Sequence, residues 1–146
     1  MIHTREAESQ DFSTICELMK NELGYPALIE AEAIKRLSYF DKSDDWATFV
    51  AVVDNEIVGF IGVMKGKAYN IEGHYSQIMA LAVSEKAQRN GIGTALMRKA
   101  EEWSLSHGIT DIGVNSNIKR FAAHAFYEKN GYVKSSYSLK KTCRRM

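Results

Sequence analysis

The sequence predicts a single-domain α/β fold in which helices cover both faces of a mixed β-sheet. Strand-like and helix-like segments alternate along the chain, and two glycines mark a junction between a strand and a helix. The length of 146 residues and a hydrophobic content of 45% suit one compact domain with a buried core. The chain has one proline and no Gly/Ser-rich linker, so we expect one domain over residues 1–146.

Hydrophobic periodicity predicts the order β-α-α-β-β-β-α-β-α-β. In this order the elements cover residues 2–7, 9–23, 29–40, 46–53, 56–65, 76–83, 91–107, 111–115, 119–130 and 132 to about 140. The two early helices have apolar residues every three or four positions, at Phe12, Ile15 and Leu18 in the first and at Ala33, Ile34 and Leu37 in the second. Gly24-Tyr25-Pro26 ends the first helix, and Asp54-Asn55 forms a tight turn between two antiparallel strands.

Composition argues against several classes of protein. The net charge of +1 argues against a nucleic-acid-binding protein built on bulk basicity. Cys16 and Cys143 lie far apart and outside any metal-ligand spacing, so we expect neither a disulfide nor a metal site. No apolar run reaches the ~18 residues of a membrane span and no signal-peptide pattern follows Met1, which predicts a cytoplasmic protein. The basic residues 140–145 are expected to form a solvated end.

The stretch Gln88-Arg89-Asn90-Gly91-Ile92-Gly93-Thr94 predicts a diphosphate site. It follows an apolar strand and opens a helix, where unpaired N–H groups and the helix dipole both favour an anion. Glycine has no Cβ, so a phosphate can approach the backbone closely, and Arg89 adds positive charge. The lysine of a P-loop and the third glycine of a dinucleotide-binding fingerprint are both absent from this stretch.

This Gln-x-x-Gly-x-Gly pattern resembles the Gln/Arg-x-x-Gly-x-Gly/Ala signature of the GNAT superfamily of acyl-CoA-dependent N-acyltransferases. A second stretch, residues 120–132, is similar to the superfamily's Ala-x-x-Phe/Leu-Tyr-x-x-x-Gly-Phe/Tyr segment. A run that overlaps it, Asn117-Ile118-Lys119-Arg120 and then Ala123-His124-Ala125-Phe126-Tyr127, is similar to aminoalkylphosphonate and some aminoglycoside acetyltransferases. The resemblance covers roughly residues 76–141 and implies a sheet of six to seven strands, splayed between the fourth and fifth strands so that the cleft holds acetyl-CoA.

The resemblance also implies how backbone groups would hold this cosubstrate. Where the strands splay, backbone groups of Leu81, Ala82 and Val83 become free for pantetheine and for the acetyl oxygen, and the oxyanion would be stabilised by an N–H near Val83. The N-terminal residues of the following helix, residues 88–94, would bind the diphosphate.

Three side chains further along are expected at the same site. Asn115 is expected to contact pantetheine, and Arg120 is expected to bind a cofactor phosphate or an anionic group of the substrate. Tyr127 stands where the superfamily usually places a tyrosine close to the thioester sulfur. Its phenol, with an ordinary pKa near ~10, is the candidate acid that protonates the departing thiolate.

The general base is the open question. An alkylamine with a pKa near ~10.4 is neutral in only about one molecule in 2,000 at pH 7, so a base or a water leading to one is needed. Many relatives place a glutamate on the strand before the glycines, but here Ile78-Met79-Ala80-Leu81 has no carboxylate. The candidates that could reach the cleft through water are Glu72, His74 and Tyr75, just upstream, and Glu30 and Glu32 on the second helix. Tyr25 is a candidate wall of the acceptor pocket.

The sequence therefore predicts an acetyl-CoA-dependent N-acetyltransferase in which a primary amine, expected to be that of a small molecule, attacks the thioester directly. Three alternatives remain open: a protein or peptide N-acetyltransferase, a non-catalytic acyl-CoA-binding sensor, and an acyltransferase for succinyl or longer chains. The open edge of the last predicted strand is a candidate contact for a homodimer. We expect neither nucleic acid nor a membrane as a partner.

Overall fold

The computed structural model describes residues 1–144, so Arg145, part of the predicted solvated end, and Met146 lie outside the described residues. The chain forms two compact units, Met1–Val114 and Asn115–Met146. The first unit contains a β-sheet with three α-helices, and the second contains one α-helix. No helix among residues 1–144 is long and apolar enough to cross a membrane.

The elements follow the predicted order as far as the fourth α-helix. In the first unit they are β1 (His3–Glu6), α1 (Phe12–Glu22), α2 (Glu30–Lys42), β2 (Trp46–Val53), β3 (Glu56–Gly66), β4 (Tyr75–Val83), α3 (Ile92–Ser106) and β5 (Ile112–Val114). One-turn 3-10 helices at Ser9–Asp11 and Glu85–Ala87 precede α1 and α3. In the second unit, α4 spans Phe121–Lys129.

The sheet is mixed, as predicted. Its strand order is β1-β2-β3-β4-β5, with antiparallel pairing between successive strands from β1 to β4 and parallel pairing between β4 and β5. The predicted turn joins β2 to β3, because Asp54 and Asn55 both have positive φ angles, of 50° and 65°. Two successive residues with positive φ angles are typical of the tight hairpin turn whose twist matches that of the flanking strands.

The helices of the first unit cover both faces of the sheet. Residues of α1 and α2 form a core cluster with Val50, Phe60 and Ala82, which are buried on β2, β3 and β4. Gly59, the neighbour of Phe60, lies against α3: a Cβ at this position would be 3.1 Å from Cδ1 of Leu96. Since neighbouring residues of a strand face opposite sides, α3 packs on the face opposite to α1 and α2.

A partly buried ion pair connects β1 to the turn before α1. Arg5 donates to both carboxylate oxygens of Asp11, over 2.7 and 3.1 Å, and the backbone N–H of Glu8 donates to Asp11 over 2.8 Å. Asp11 is only 4% exposed, and the hydrogen bonds from Arg5 lower the pKa of its carboxyl group below the ordinary value. The pair therefore fixes where the first helix starts.

The last predicted strand, residues 132 to about 140, does not form, and the sheet of the described residues has five strands rather than six to seven. Apolar Val133, Tyr137 and Leu139 alternate with polar residues, which is the pattern of a half-buried strand. A strand also needs a hydrogen-bonded neighbour, and no strand within residues 1–144 pairs with this segment. These three side chains are accordingly exposed, by 83%, 92% and 94%.

Candidate functional site

An open edge on β4 is the first part of the candidate site. β4 pairs with β3 along its whole length, from Tyr75 to Val83. Its pairing with β5 covers only three residues and ends where Ile78 faces Val114. The part of β4 after Ile78 therefore has no strand neighbour on that side among residues 1–144. Such an unpaired edge offers backbone donors and acceptors to a ligand.

A β-bulge lies where the pairing with β5 stops. Gly62 of β3 faces Ala80, whereas the next residue, Val63, faces Ile78. Met79 is the extra residue on β4, and its side chain is 52% exposed. A bulge bends its strand and increases the local twist, which accounts for the separation of β4 from β5 beyond this point. The sequence alone does not reveal this bulge, because a residue is extra only relative to the partner strand and the register of the two strands is not known beforehand.

The register identifies which backbone groups face the open edge. The N–H of Ser84 donates to the carbonyl of Val58 over 2.8 Å, so the hydrogen-bonded pairs with β3 fall at every second residue before it. Ala82 belongs to this set, and its backbone faces β3. Leu81 and Val83 alternate with it, so their N–H and C=O groups face the open edge. Of the three residues expected to offer free backbone groups, Leu81 and Val83 have the required direction.

The start of α3 is the second part of the candidate site. Gly91 takes a left-handed conformation, with φ of 80°, and caps the helix. The first helical hydrogen bond runs from the N–H of Ala95 to the carbonyl of Gly91, over 3.0 Å. The N–H groups of Ile92, Gly93 and Thr94 have no backbone acceptor among residues 1–144. Free N–H groups at the positive end of a helix dipole bind anions.

The loop before α3 is strained and positively charged. Arg89 has a φ angle of 69°, a conformation that costs a residue with a side chain on the order of 1–3 kcal/mol. Its exposed guanidinium forms no ion pair within the described chain. Asn90 is exposed beside it and lines a cleft of about 450 Å³ together with Lys86. A residue with a side chain rarely keeps this unfavourable backbone conformation unless the position has a function, so the conformation of Arg89 indicates a loop shaped for a ligand.

Two side-chain contacts connect this loop to the rest of the unit. The side-chain amide of Gln88 donates to the carbonyl of Val83 over 3.2 Å, which joins the loop to the open edge of β4. The N–H of Glu85 donates to the carboxylate of Glu22, the last residue of α1, over 3.2 Å. The structure thus brings together the expected residues of β4 and those of the glycine-containing loop. The contact of Glu22 was not predicted, since 63 residues separate the two partners.

Tyr127 and Arg120 lie seven residues apart in the second unit. Arg120 is the N-cap residue of α4, and Tyr127 lies within the helix about two turns further along. Tyr127 is half-buried, and burial raises the pKa of its hydroxyl above the ordinary value of 10.0, while the charge of Arg120 acts in the opposite direction. Within residues 1–144 the hydroxyl has no hydrogen-bond partner. It is therefore protonated at neutral pH and free to donate.

The segment leading into α4 is held by local hydrogen bonds. The side chain of Asn117 accepts from the N–H of Lys119 over 2.9 Å, and the Asn117 carbonyl lies 2.8 Å from Nε2 of His124. Asn115, the expected pantetheine contact, is exposed. The hydroxyl of Ser116 is buried and has no partner in the described part of the chain.

The candidate acceptor residues of the first unit fall into two groups. Tyr25 is 55% exposed between α1 and α2, and Glu30 opens α2, where its carboxylate accepts a hydrogen bond from Ser13 over 3.0 Å. Glu72, His74 and Tyr75 lie before or at the first residue of β4. The rise of a strand puts Tyr75 about 26 Å from Val83 along β4. The structure therefore does not place this second group beside the Val83 amide.

Comparison with known proteins shows which family and which proteins this chain is similar to. The model of the acetyltransferase (GNAT) family matches residues 12–132. The aminoalkylphosphonate N-acetyltransferase of Salmonella typhimurium is 30% identical over 138 residues, which cover 94% of this chain and 86% of that protein. The solved structure of a GNAT family acetyltransferase from Staphylococcus aureus is 28% identical, covers 97% of this chain and 98% of its own, and has a TM-score of 0.80.

A more distant structure has the same fold. The aminoglycoside 6′-N-acetyltransferase of Acinetobacter haemolyticus superposes with a TM-score of 0.85, over 98% of this chain and 99% of its own, at only 14% identity. At that identity the similarity concerns the fold alone.

No group of histidine, cysteine, aspartate and glutamate residues within the described part of the chain could hold a metal ion.

Proposed function

The chain belongs to the GNAT family of acetyltransferases and is an acyl-CoA-dependent N-acetyltransferase, and on this premise we propose that it transfers an acetyl group to the primary amine of a small molecule. The open edge of β4 next to the free N–H groups of α3 is the observation that supports this proposal. Acetyl-CoA is the cosubstrate, and one N-acetyltransferase domain over residues 1–146 performs the reaction.

The diphosphate and the pantetheine arm occupy adjoining features in this proposal. The free N–H groups of Ile92, Gly93 and Thr94 bind the diphosphate, with the charge of Arg89 nearby. Since the diphosphate lies at the carboxyl end of β4, the arm runs backwards along the open edge. Val83 then offers its N–H to the arm, and Leu81 offers the next N–H to the thioester oxygen. This assignment moves the expected oxyanion donor from the region of Val83 to Leu81.

The amine attacks the thioester carbon directly, and no acyl-enzyme forms. Cys16 is fully buried, and burial raises the pKa of its thiol, which disfavours the nucleophilic thiolate. In the tetrahedral intermediate the negative oxygen accepts from backbone N–H. Collapse breaks the carbon–sulfur bond, and Tyr127 gives its proton to the leaving thiolate. The raised pKa of Tyr127 keeps this proton in place at neutral pH.

The incoming amine must lose a proton before or during attack. β4 has no carboxylate at the bulge, where Met79 is exposed. We assign the base to Glu30, acting through water, because its position at the start of α2 leaves its side chain accessible and Tyr25 lies in the preceding connection. Asn115 and Arg120 of the second unit are assigned to pantetheine and to an anionic group of either substrate.

The relatives support a proposal for the class of acceptor. The Salmonella typhimurium protein, an aminoalkylphosphonate N-acetyltransferase, spans nearly the same length as this chain. We therefore propose a compact acceptor that combines a primary amine with an anionic group, and Arg120 is available to pair with that group. A peptide amine is the second candidate, because N-alpha-acetyltransferase 30 of Mus musculus is 30% identical over 139 residues, although these cover only 38% of that protein.

The proposal is tested by following thiol release from acetyl-CoA with a panel of amines. The panel contains 2-aminoethylphosphonate, ethanolamine as its uncharged counterpart, spermidine, an aminoglycoside and a peptide with a free N terminus. We expect turnover of 2-aminoethylphosphonate and a lower kcat/KM for ethanolamine. Turnover confined to the peptide would instead select the second candidate. Binding of acetyl-CoA without turnover of any amine would favour the acyl-CoA sensor.

We also propose that the segment 132–140 becomes a strand in a homodimer. Its alternating Val133, Tyr137 and Leu139 form an amphipathic strand pattern whose apolar side chains are exposed in one chain. A second copy that pairs with this segment would bury them. Light scattering after size exclusion measures the mass, and Tyr137→Lys should shift the protein toward the monomer. A monomeric wild-type protein would refute this proposal.

A further inference from the structure

We propose that Gln88 is a positioning residue that acts through Val83: its side-chain amide holds the Val83 carbonyl, so that the open edge of β4 ends in a free N–H for the pantetheine arm. This inference rests on the proposed function. It also revises the expected role of Gln88, which was assigned with its neighbours to direct contact with the diphosphate.

The backbone N–H of Gln88 and one N–H of its side-chain amide already have acceptors in the protein. Its backbone N–H donates to the carbonyl of Glu85 over 3.3 Å, which closes the one-turn helix before it. Its side-chain amide donates to the carbonyl of Val83 over 3.2 Å. The N–H groups of Ile92, Gly93 and Thr94, by contrast, have no backbone acceptor within residues 1–144. The unbonded N–H groups at the start of α3 are therefore better donors for the diphosphate than Gln88 is.

The peptide group between Val83 and Ser84 is held at both ends. On one side of β4 the N–H of Ser84 donates to Val58 over 2.8 Å, and on the other side the Val83 carbonyl accepts from Gln88. These two bonds fix the direction of this peptide and limit rotation about the Val83 backbone. The N–H of Val83, which precedes this peptide group, is therefore kept pointing out of the open edge of β4.

Capping this carbonyl also changes the charge pattern of the edge. Leu81 and Val83 present, in order, an N–H, a C=O, an N–H and a second C=O. A free terminal C=O would repel the carbonyl oxygens of an acyl-pantetheine arm and would attract water. With Gln88 bound to it, the edge presents two donors around one acceptor, which matches an amide that both donates and accepts.

Comparing two acyl donors tests this role. S-acetyl-pantetheine contains the arm and the thioester but lacks the nucleotide diphosphate. Gln88→Glu keeps the size of the side chain but replaces the donor by an acceptor, so we expect kcat/KM to fall by about three- to tenfold with both acyl donors. Gln88→Arg, which restores a long donor, should recover most of this loss. Gly93→Glu is the control, since it should impair acetyl-CoA far more than S-acetyl-pantetheine.

The outcomes separate this inference from the proposed function. A fall in kcat/KM with acetyl-CoA but not with S-acetyl-pantetheine would show that Gln88 contacts the diphosphate. This result would overturn the inference and leave the proposed acetyltransferase activity unaffected. An inactive wild-type protein would refute the proposed function, and the ¹³C shift of the Val83 carbonyl in nuclear magnetic resonance spectra would then decide on Gln88 alone. We expect this resonance to move in Gln88→Glu and to return toward its wild-type position in Gln88→Arg. An unchanged resonance in both variants would contradict the contact.

Discussion

Arg5 donates to both carboxylate oxygens of Asp11, over 2.7 and 3.1 Å, at the junction of the first strand and the first helix. The carboxylate is buried, whereas the guanidinium is about one third exposed. The N–H of Glu8 supplies a third hydrogen bond. Since Asp11 immediately precedes α1, this pair positions the helix that packs on one face of the sheet.

Asp11→Asn should lower the free energy of unfolding by about 1–3 kcal/mol, because it weakens hydrogen bonds to a charged group. Asp44→Asn is the matched control, since Asp44 is exposed and forms no ion pair within the described chain. Urea unfolding followed by circular dichroism measures both. Equal stabilities of the two variants would show that the pair contributes nothing.

The same pair predicts how stability depends on pH. Hydrogen bonds from Arg5 lower the pKa of Asp11 in the folded state below the ordinary 3.8. A carboxyl group whose pKa is lower in the folded state stabilises the protein at pH values above the ordinary pKa. This contribution is lost as the pH falls through the pKa of the folded state. The stability difference between wild type and Asp11→Asn should therefore be constant at pH values more than about one unit above the ordinary pKa, and it should shrink as the pH falls below 3.8. A difference that grew in acid would contradict the sign.

Gly59 tests the packing of α3 on the sheet. A Cβ at this position would lie 2.9 Å from the backbone oxygen of Ala82 and 3.1 Å from Leu96. Gly59→Ala should thus destabilise the protein by about 1–3 kcal/mol through overpacking. Gly62 lies on the same strand, and a Cβ added there would meet open space, so Gly62→Ala should be neutral or mildly stabilising. Thermal unfolding of the two variants makes the comparison, and an equal change in Tm would contradict it.

Tyr127→Phe should lower kcat at least about 10-fold, since a general acid contributes ~10²–10⁴ in rate. The KM for acetyl-CoA should change less, because the ring remains. Burial raises the pKa of Tyr127 above 10.0, so the wild-type rate should not fall through loss of this proton until the pH exceeds 10.0. An unchanged kcat in Tyr127→Phe would remove the hydroxyl from the mechanism.

The two glycines of the loop should respond differently to substitution. Gly91 has a φ of 80°, which asparagine tolerates better than other residues, so Gly91→Asn should retain more acetyl-CoA binding than Gly91→Glu. At Gly93 the effect is one of charge and bulk beside free N–H groups, so Gly93→Glu should raise the KM for acetyl-CoA and Gly93→Ala should raise it less. Titration calorimetry with CoA measures these affinities, and wild-type binding in both glutamate variants would exclude the diphosphate site.

The sequence was sufficient where structure depends on local chemistry. The nearly continuous apolar run predicted β2 with its observed bounds, Trp46–Val53, and Asp54-Asn55 predicted the turn that follows. The glycines at 91 and 93 predicted the start of α3 and its free N–H groups. Each of these features involves residues that are close in the chain, so a short pattern contains the necessary information.

The remaining features depend on residues that are distant in the chain or on register. The extra residue Met79 exists only relative to β3, and the direction of the Leu81 and Val83 backbones follows from the same register. The contact between Glu22 and Glu85 spans 63 positions. The segment 132–140 has the alternation of a strand, yet alternation cannot supply the neighbour that a strand needs. Because β4 has no carboxylate, the proposed base, Glu30, lies on a different element, at the start of α2.

The central claim is that this protein transfers acetyl groups from acetyl-CoA to an amine without an acyl-enzyme. The most direct test measures released thiol and N-acetylated product together, with each amine of the panel as acceptor. The account predicts equal amounts of both products and no thiol release without the amine. Thiol release at the same rate without the amine, or acetyl-CoA binding with no release at all, would contradict it.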